Sequence, residues 1–259
     1  MKIIKLFILS IFVSYLAITL GCGGGGDSTS EDKAPSATKT ASMGPAGTAT
    51  VSGTINFTGE APRMRPIKHD AECAAFHEER VYPQNVVVND NNTLKDVFVY
   101  VKEGISGSYD PPTEQAVIDQ KGCSYHPHVF GVQTGQTIKI LNSDPLLHNI
   151  HALPKINRSF NFGMPKQGDV RERSFKKAEV MVKIKCDVHP WMSAYCGVVD
   201  HPYFSVSGDD GTFTIKNLPA GEYVIEAWQE EYGTSTQSIT VGDGESKTVN
   251  FAFGKESAN

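Results

Sequence analysis

His148, Cys186, His189 and Met192 form a set of side chains that can hold one metal ion. They stand in the runs LNSDPLLHN and CDVHPWM, the first of which also contains Asn142 and Asp144. Two imidazoles, a thiolate and a thioether are the donors of a trigonal two-His-one-Cys copper site with a weak axial Met. Thiolate and thioether are soft ligands and favour copper. Three of the donors share one short loop, and His148 lies about forty residues upstream, which suits a neighbouring strand of a β-sandwich. A lone C-x-x-H recurs by chance. The ordered set H-N … C-x-x-H-x-x-M behind an alternating strand is far more specific. Taken singly, Cys186 reads as a buried small hydrophobe, Met192 as core filler and His148 as a hydrogen-bonded surface residue.

On these residues, the segment from about Thr113 to Pro202 resembles the cupredoxins, the blue-copper electron carriers. The run VQTGQTIKILNSDPLLHNI is similar to the strand and turn that bear the first His ligand in that family. The Cys–His–Met spacing, with Pro190 after the His and an aromatic before the Met, resembles the amicyanin type of ligand loop. The resemblance implies one type 1 copper held by His148, Cys186, His189 and axial Met192. It implies Asn149, Pro190 and Trp191 as supporting residues, with Pro190 stiffening the loop through its fixed φ. It also implies single-electron transfer between redox partners, with Trp191 half-exposed at the rim and the electron leaving by an exposed edge of His189.

The elements that must position these residues are strands. TATVSGTINF, VFVYV, TIKIL, VMVKIK, GTFTIKNL, YVIEAW, QSITV and TVNFAF all alternate with period two. Gly, Pro, Asn and Asp turns such as GDDG, PAGE and GDG separate them. A helical stripe is confined to one turn near Ala71–Glu79. The expected class is all-β, a Greek-key sandwich of the cupredoxin kind plus a second sandwich. The stretch DDGTFTIKNLPAGEYVIEAW resembles the second half of a carboxypeptidase-regulatory-like, or transthyretin-like, domain. Strands suited to its first half stand far upstream, at Val51–Gly59 and Leu94–Gly104. The resulting expectation is a discontinuous scaffold, 49–105 plus 203–255, with the copper domain, 106–202, inserted in it. Insertions are tolerated where domain termini lie close together. The alternative is a plain tandem in which Val51–Phe57 lies beside Thr137–Leu141.

The N-terminal run has a basic start, MKIIK, and an apolar stretch too short for a membrane span. TLGC resembles a bacterial lipoprotein signal, which implies a signal peptide over 1–22 and lipidation at Cys22; Thr19 stands where Leu is commoner. Stable anchoring by more than one acyl chain follows from that reading. Residues 23–48, rich in Gly, Ser, Thr, Ala and Pro, read as a disordered tether. The expected location is the bacterial cell envelope, periplasmic or outer membrane. Net charge is −5, with no basic stripe, so nucleic acid is not an expected partner. The expected partners are redox proteins of the envelope and, through the anchor, the membrane.

Five cysteines fit an exported chain. With Cys22 assigned to lipid and Cys186 to metal, Cys73 and Cys123 remain as a disulfide in polar loops, and Cys196 as a buried thiol. A rival reading joins Cys73, His77, Cys123, His126 and His128 in a second metal site. No nucleophile motif, carboxylate pair or P-loop appears, so a carrier is expected rather than an enzyme. Two alternatives stay open. One is copper storage or delivery, for which His126, His128, His151 and Met164 would be extra donors. The other is a metal-free scaffolding or adhesion lipoprotein.

Overall fold

The computed structural model describes residues 44–254. The signal, Cys22 and most of the tether lie outside the described residues.

The first part of the chain supplies β1 (Ala49–Thr58), α1 (Ala71–Ala74) and β2 (Phe98–Glu103). The middle supplies β3 (Ala116–Lys121), β4 (Ser124–His126), β5 (Val129–Gln133), β6 (Ile138–Asn142), β7 (His148–Leu153), β8 (Phe160–Met164), β9 (Val170–Arg173), β10 (Glu179–Lys185) and β11 (Ser193–Val199). The last part supplies β12 (Phe204–Val206), β13 (Thr212–Leu218), β14 (Gly221–Gln229), β15 (Gly233–Val241), β16 (Ser246–Thr248) and β17 (Phe251–Gly254). The protein is all-β, as its period-two patterning predicts. The one α-helical turn among the described residues is α1, whose N-cap, Asp70, accepts from the backbone N–H of Cys73.

Four sheets form two sandwiches. In one sandwich, β13-β1-β16, with β17 also on β1, faces β12-β2-β14-β15. In the other, β5-β11-β10-β7-β8 faces β4-β3-β6-β9. β1 runs antiparallel to β13 and parallel to β16 and β17. The 137–141 region pairs instead through β6 with β3 and β9. Val51–Phe57 therefore ladders with the C-terminal strands and not with Thr137–Leu141. Each sandwich has its own apolar core, one around Val51, Ile55, Val99 and Ile225, the other around Ile118, Ile140, Ile150 and Ile184.

A third apolar layer joins the sandwiches. β2 is buried on both faces, so Phe98–Val101 reads as a continuous apolar run rather than an alternating one. Val99 and Val101 enter the scaffold core, while Phe98 and Tyr100 turn the other way, against Val129 and Val199. The Phe98 ring needs Gly131 on β5 and Gly197 on β11. A Cβ at Gly197 would come within 2.4 Å of Phe98, and one at Gly131 within 2.4 Å of Phe204 and 2.6 Å of Phe98.

Candidate metal centre

The site is built on one hairpin and one neighbouring strand. Lys185 on β10 and Ser193 on β11 are register partners, so 186–192 is the turn that joins those strands. Within it the Cys186 N–H donates to the Met192 carbonyl at 3.2 Å, and the Met192 N–H donates to the His189 carbonyl at 3.0 Å. The His189 N–H reaches back to Cys186 Sγ at 3.3 Å. This winding turns Cys186, His189 and Met192 inward together, and all three are buried. β7 lies beside β10 and brings its first residue, His148, to the same place.

The donors converge. His148 Nδ1 and His189 Nδ1 are 3.0 Å apart, and Cys186 Sγ is 3.9 Å from His189 Nδ1. Donor atoms of His148, Cys186 and His189 all lie within 4.8 Å of one another. Met192, 1% exposed, shares their core.

The residues around the cluster fix its protons. Asp144 Oδ2 lies 2.8 Å from His148 Nε2. A carboxylate accepts, so Nε2 carries a hydrogen whether the ring is charged or neutral, and in the neutral ring Nδ1 is the nitrogen whose lone pair is left for a metal. Asp144 itself accepts from the N–H groups of Gly122 at 2.7 Å and Cys123 at 2.8 Å. Its own N–H donates to Asn142 Oδ1, and the Asn142 amide donates to the carbonyls of Leu146 and Met164. Sequence reading singled out Asn142 and Asp144 without a role; the structure makes them the frame of the 142–148 loop. Asn149 Oδ1 accepts from the Asp187 N–H at 2.9 Å and ties that loop to the ligand turn. Burial alone would raise the Cys186 thiol, but hydrogen bonds from His148 and from backbone groups of His189, Asn149 and Val188 outweigh it and favour the thiolate. Burial lowers the basicity of His189, and the neighbouring His148 adds to that. For His148, burial opposes protonation, but its bonds to Cys186 and Asp144 prevail and raise it.

Cys73 and Cys123 form a disulfide with Cα atoms 5.7 Å apart. The sequence places them in polar loops, yet both are fully buried against the metal centre. Donor atoms of Cys73, Cys123 and His189 fall within 4.8 Å of one another, as do those of Cys123, Asp144 and His148. The bridge staples α1, from the scaffold half, over the ligand turn.

That staple corrects one expectation. His189 presents no open edge: it is 5% exposed, and its Nε2 faces the Asp70 carboxylate at 3.7 Å. Segment 66–80 covers it because the disulfide holds α1 there. Nothing in the ligand motif signals this cover, which comes from more than a hundred residues upstream. Trp191 is half-buried; its indole N–H donates to the Cys123 carbonyl at 3.1 Å, and its ring lies 5.3 Å from His189. Pro190 is exposed.

The rival second metal set does not assemble. Its cysteines are bonded to each other. His77 Nε2–H donates to the Gly122 carbonyl, and His128 lies between the Ser193 carbonyl and Glu230. His126 is exposed, and His151 pairs with Asp187. Met164 Sδ accepts from Gln120. Cys196 is a buried free thiol whose pKa burial raises well above the usual range.

Fold and site together define an all-β protein of two stacked sandwiches, one carrying a closed cluster of two imidazoles, a thiol and a thioether. Residues 199–254 match the model of the carboxypeptidase regulatory-like domain. Three solved structures resemble part of the chain. A copper-containing nitrite reductase from Thermus scotoductus SA-01 is 20% identical over 37% of this chain, at a TM-score of 0.30. The match spans only 24% of that enzyme. An oxidised amicyanin variant is 22% identical over 32% of this chain and 81% of its own, at a TM-score of 0.30. A purple cupredoxin from Nitrosopumilus maritimus is 24% identical over 32% of this chain and 98% of its own, at a TM-score of 0.27. No curated protein matches the chain. Each structural likeness concerns about a third of the chain, and none assigns it a ligand or an activity.

Proposed function

We propose that this protein is a type 1 copper protein that carries single electrons between redox proteins of the bacterial cell envelope, with His148, Cys186, His189 and Met192 as ligands. One observation carries the reading: two imidazole Nδ1 atoms 3.0 Å apart, with a thiolate-favouring sulfur beside them, in a closed pocket. The donor set fits copper, since soft sulfur and imidazole ligands at low coordination select it. Bound there, copper would supply one-electron chemistry. The chain's own contribution is to hold the donors still. Asp144 fixes the tautomer of His148, backbone N–H groups stabilise the Cys186 sulfur, and the hydrogen-bonded turn fixes His189 against Met192. Burial of all four side chains leaves no approach for a substrate, which supports a carrier over an enzyme. His128, His151 and Met164 are engaged elsewhere and lend nothing to a storage or delivery role.

In this reading the scaffold is discontinuous, 49–105 plus 203–255, with 106–202 inserted, and the ladders of β1 to β13, β16 and β17 support it. Export and lipidation at Cys22 rest on the sequence. The test is to add Cu(II) to metal-free protein. An intense visible thiolate-to-copper band is expected, absent from Cys186→Ser while its β-sheet circular dichroism persists. No band in the wild type, or a band that survives in C186S, refutes the proposal.

A further inference from the structure

The cover over His189 carries its own path of rings to the surface. The His189–Trp191 centroids are 5.3 Å apart, Trp191–His69 5.1 Å and His69–His77 4.9 Å, the last pair stacked. Each spacing lies in the range of direct aromatic contact. Two of the rings are held from one turn. Trp191 donates to the Cys123 carbonyl at 3.1 Å, and His77 donates to the adjacent Gly122 carbonyl at 2.9 Å. The same turn supplies the N–H groups that hold Asp144, and its Cys123 is bonded to Cys73. His148 and the ring path are therefore braced by one element. Electronic coupling decays steeply across saturated gaps, so closely spaced rings favour transfer.

The outer end of the path opens on a distinctive surface. Phe76, beside His77, is 40% exposed. Asp70, Glu72, Glu78 and Glu79 stand exposed near it in the sequence, and the exposed Lys68 and Arg80 bound the stretch at its two ends. An exposed aromatic with an acidic surround suits a partner that presents an apolar contact within a basic rim, since complementary charge steers encounter.

We propose that residues 69–79 are the docking surface for a basic-faced redox protein, joined to His189 through Trp191, His69 and His77. This rests on the copper reading above. Each encounter moves one electron from the reduced centre to the oxidised partner; no bond forms or breaks and no proton is transferred.

Two measurements test it. Docking is read on metal-free protein with the paramagnetic cation hexaamminechromium(III). Its addition is expected to broaden amide resonances of 72–79. Broadening centred instead on Leu147 and Val188, which flank the ligands and are 48% and 46% exposed, or spread over the whole surface, overturns the docking surface. On copper-loaded protein, reduced beforehand, the oxidant is the cationic tris(1,10-phenanthroline)cobalt(III). Replacing Glu72, Glu78 and Glu79 by Gln is expected to slow oxidation about tenfold at low salt, with the gap closing at high salt. His77→Leu is expected to slow it severalfold with the visible band unchanged, and His77→Phe, which loses the same bond to Gly122 but keeps a ring, to restore most of the rate. Equal rates for H77L and wild type overturn the ring path. Absence of the visible band in the wild type instead refutes the copper reading and the path with it, while the chromium map still decides the surface.

Discussion

Asp144 Oδ2 accepts the Nε2–H of His148 at 2.8 Å, with the imidazole fully buried and the carboxylate nearly so. This contact orients a side chain that β7 alone would leave free to rotate. It also links the centre to the disulfide turn, because Gly122 and Cys123 donate to the same carboxylate. Asp144→Asn keeps the shape but weakens the acceptor and allows its amide to face the wrong way. Copper affinity is expected to fall about 10- to 100-fold, the usual cost of losing a partner behind a metal ligand. Competition titration against a chelator checks this, and an unchanged affinity would remove Asp144 from the site's design.

The Cys73–Cys123 bridge closes a loop of sequence separation 50. On the chain-entropy relation, a loop of that length stabilises by about 4 kcal/mol. The double variant Cys73→Ala/Cys123→Ala is expected to melt at clearly lower temperature. It should also uncover His189, so that metal is captured and lost faster. Stopped-flow metal uptake compared between the two proteins reads the second effect; identical uptake would mean that α1 stays in place without its staple.

Phe98 locks the two sandwiches together over Gly131 and Gly197. Gly197→Ala places a methyl where the ring stands, at 2.4 Å. Overpacking of this kind is expected to cost about 1–3 kcal/mol, read as a shift in denaturation midpoint. The visible band of the copper-loaded protein should be unaffected, because turn 186–192 lies at the start of β11 and Gly197 toward its far end. A neutral substitution would show the interface to be loosely packed.

Glu179 gathers the 155–157 turn. Its carboxylate accepts from the backbone N–H of Lys155, from those of Ile156 at 3.1 Å and Asn157 at 3.0 Å, and from the Asn157 amide. Burial would raise its pKa, but these donors outweigh burial and hold it below the ordinary value. A folded-state pKa below the unfolded one stabilises above the unfolded value and loses that contribution as pH falls through the folded one. Glu179→Ala is therefore expected to cost about 1–3 kcal/mol at neutral pH. The gap from wild type should shrink as pH drops below about 4.3, the ordinary Glu value. Urea denaturation at several pH values measures it; a gap independent of pH would assign the effect to shape rather than charge.

What the sequence determined by itself is local. Cys186, His189 and Met192 fall within one hairpin turn, so their spacing alone brings them together once β10 and β11 pair. The strands are legible because each sandwich buries one face of an alternating pattern, and the pairing of β1 with the C-terminal strands because two halves of one pattern flank the middle segment. The Cys73–Cys123 pairing was readable from compartment and elimination, but its place against His189 was not. What only the tertiary structure decided is long-range. The role of Asp144 depends on a turn that arrives from β3 and β4. The closed edge of His189 depends on Asp70, and the ring path depends on His69 and His77, all carried in from the scaffold half. Phe98 looks like any strand residue until β5 and β11 offer two glycines beneath it. Such contacts depend on how preformed sheets fit against one another, and shape complementarity between distant surfaces leaves no periodic trace in the chain.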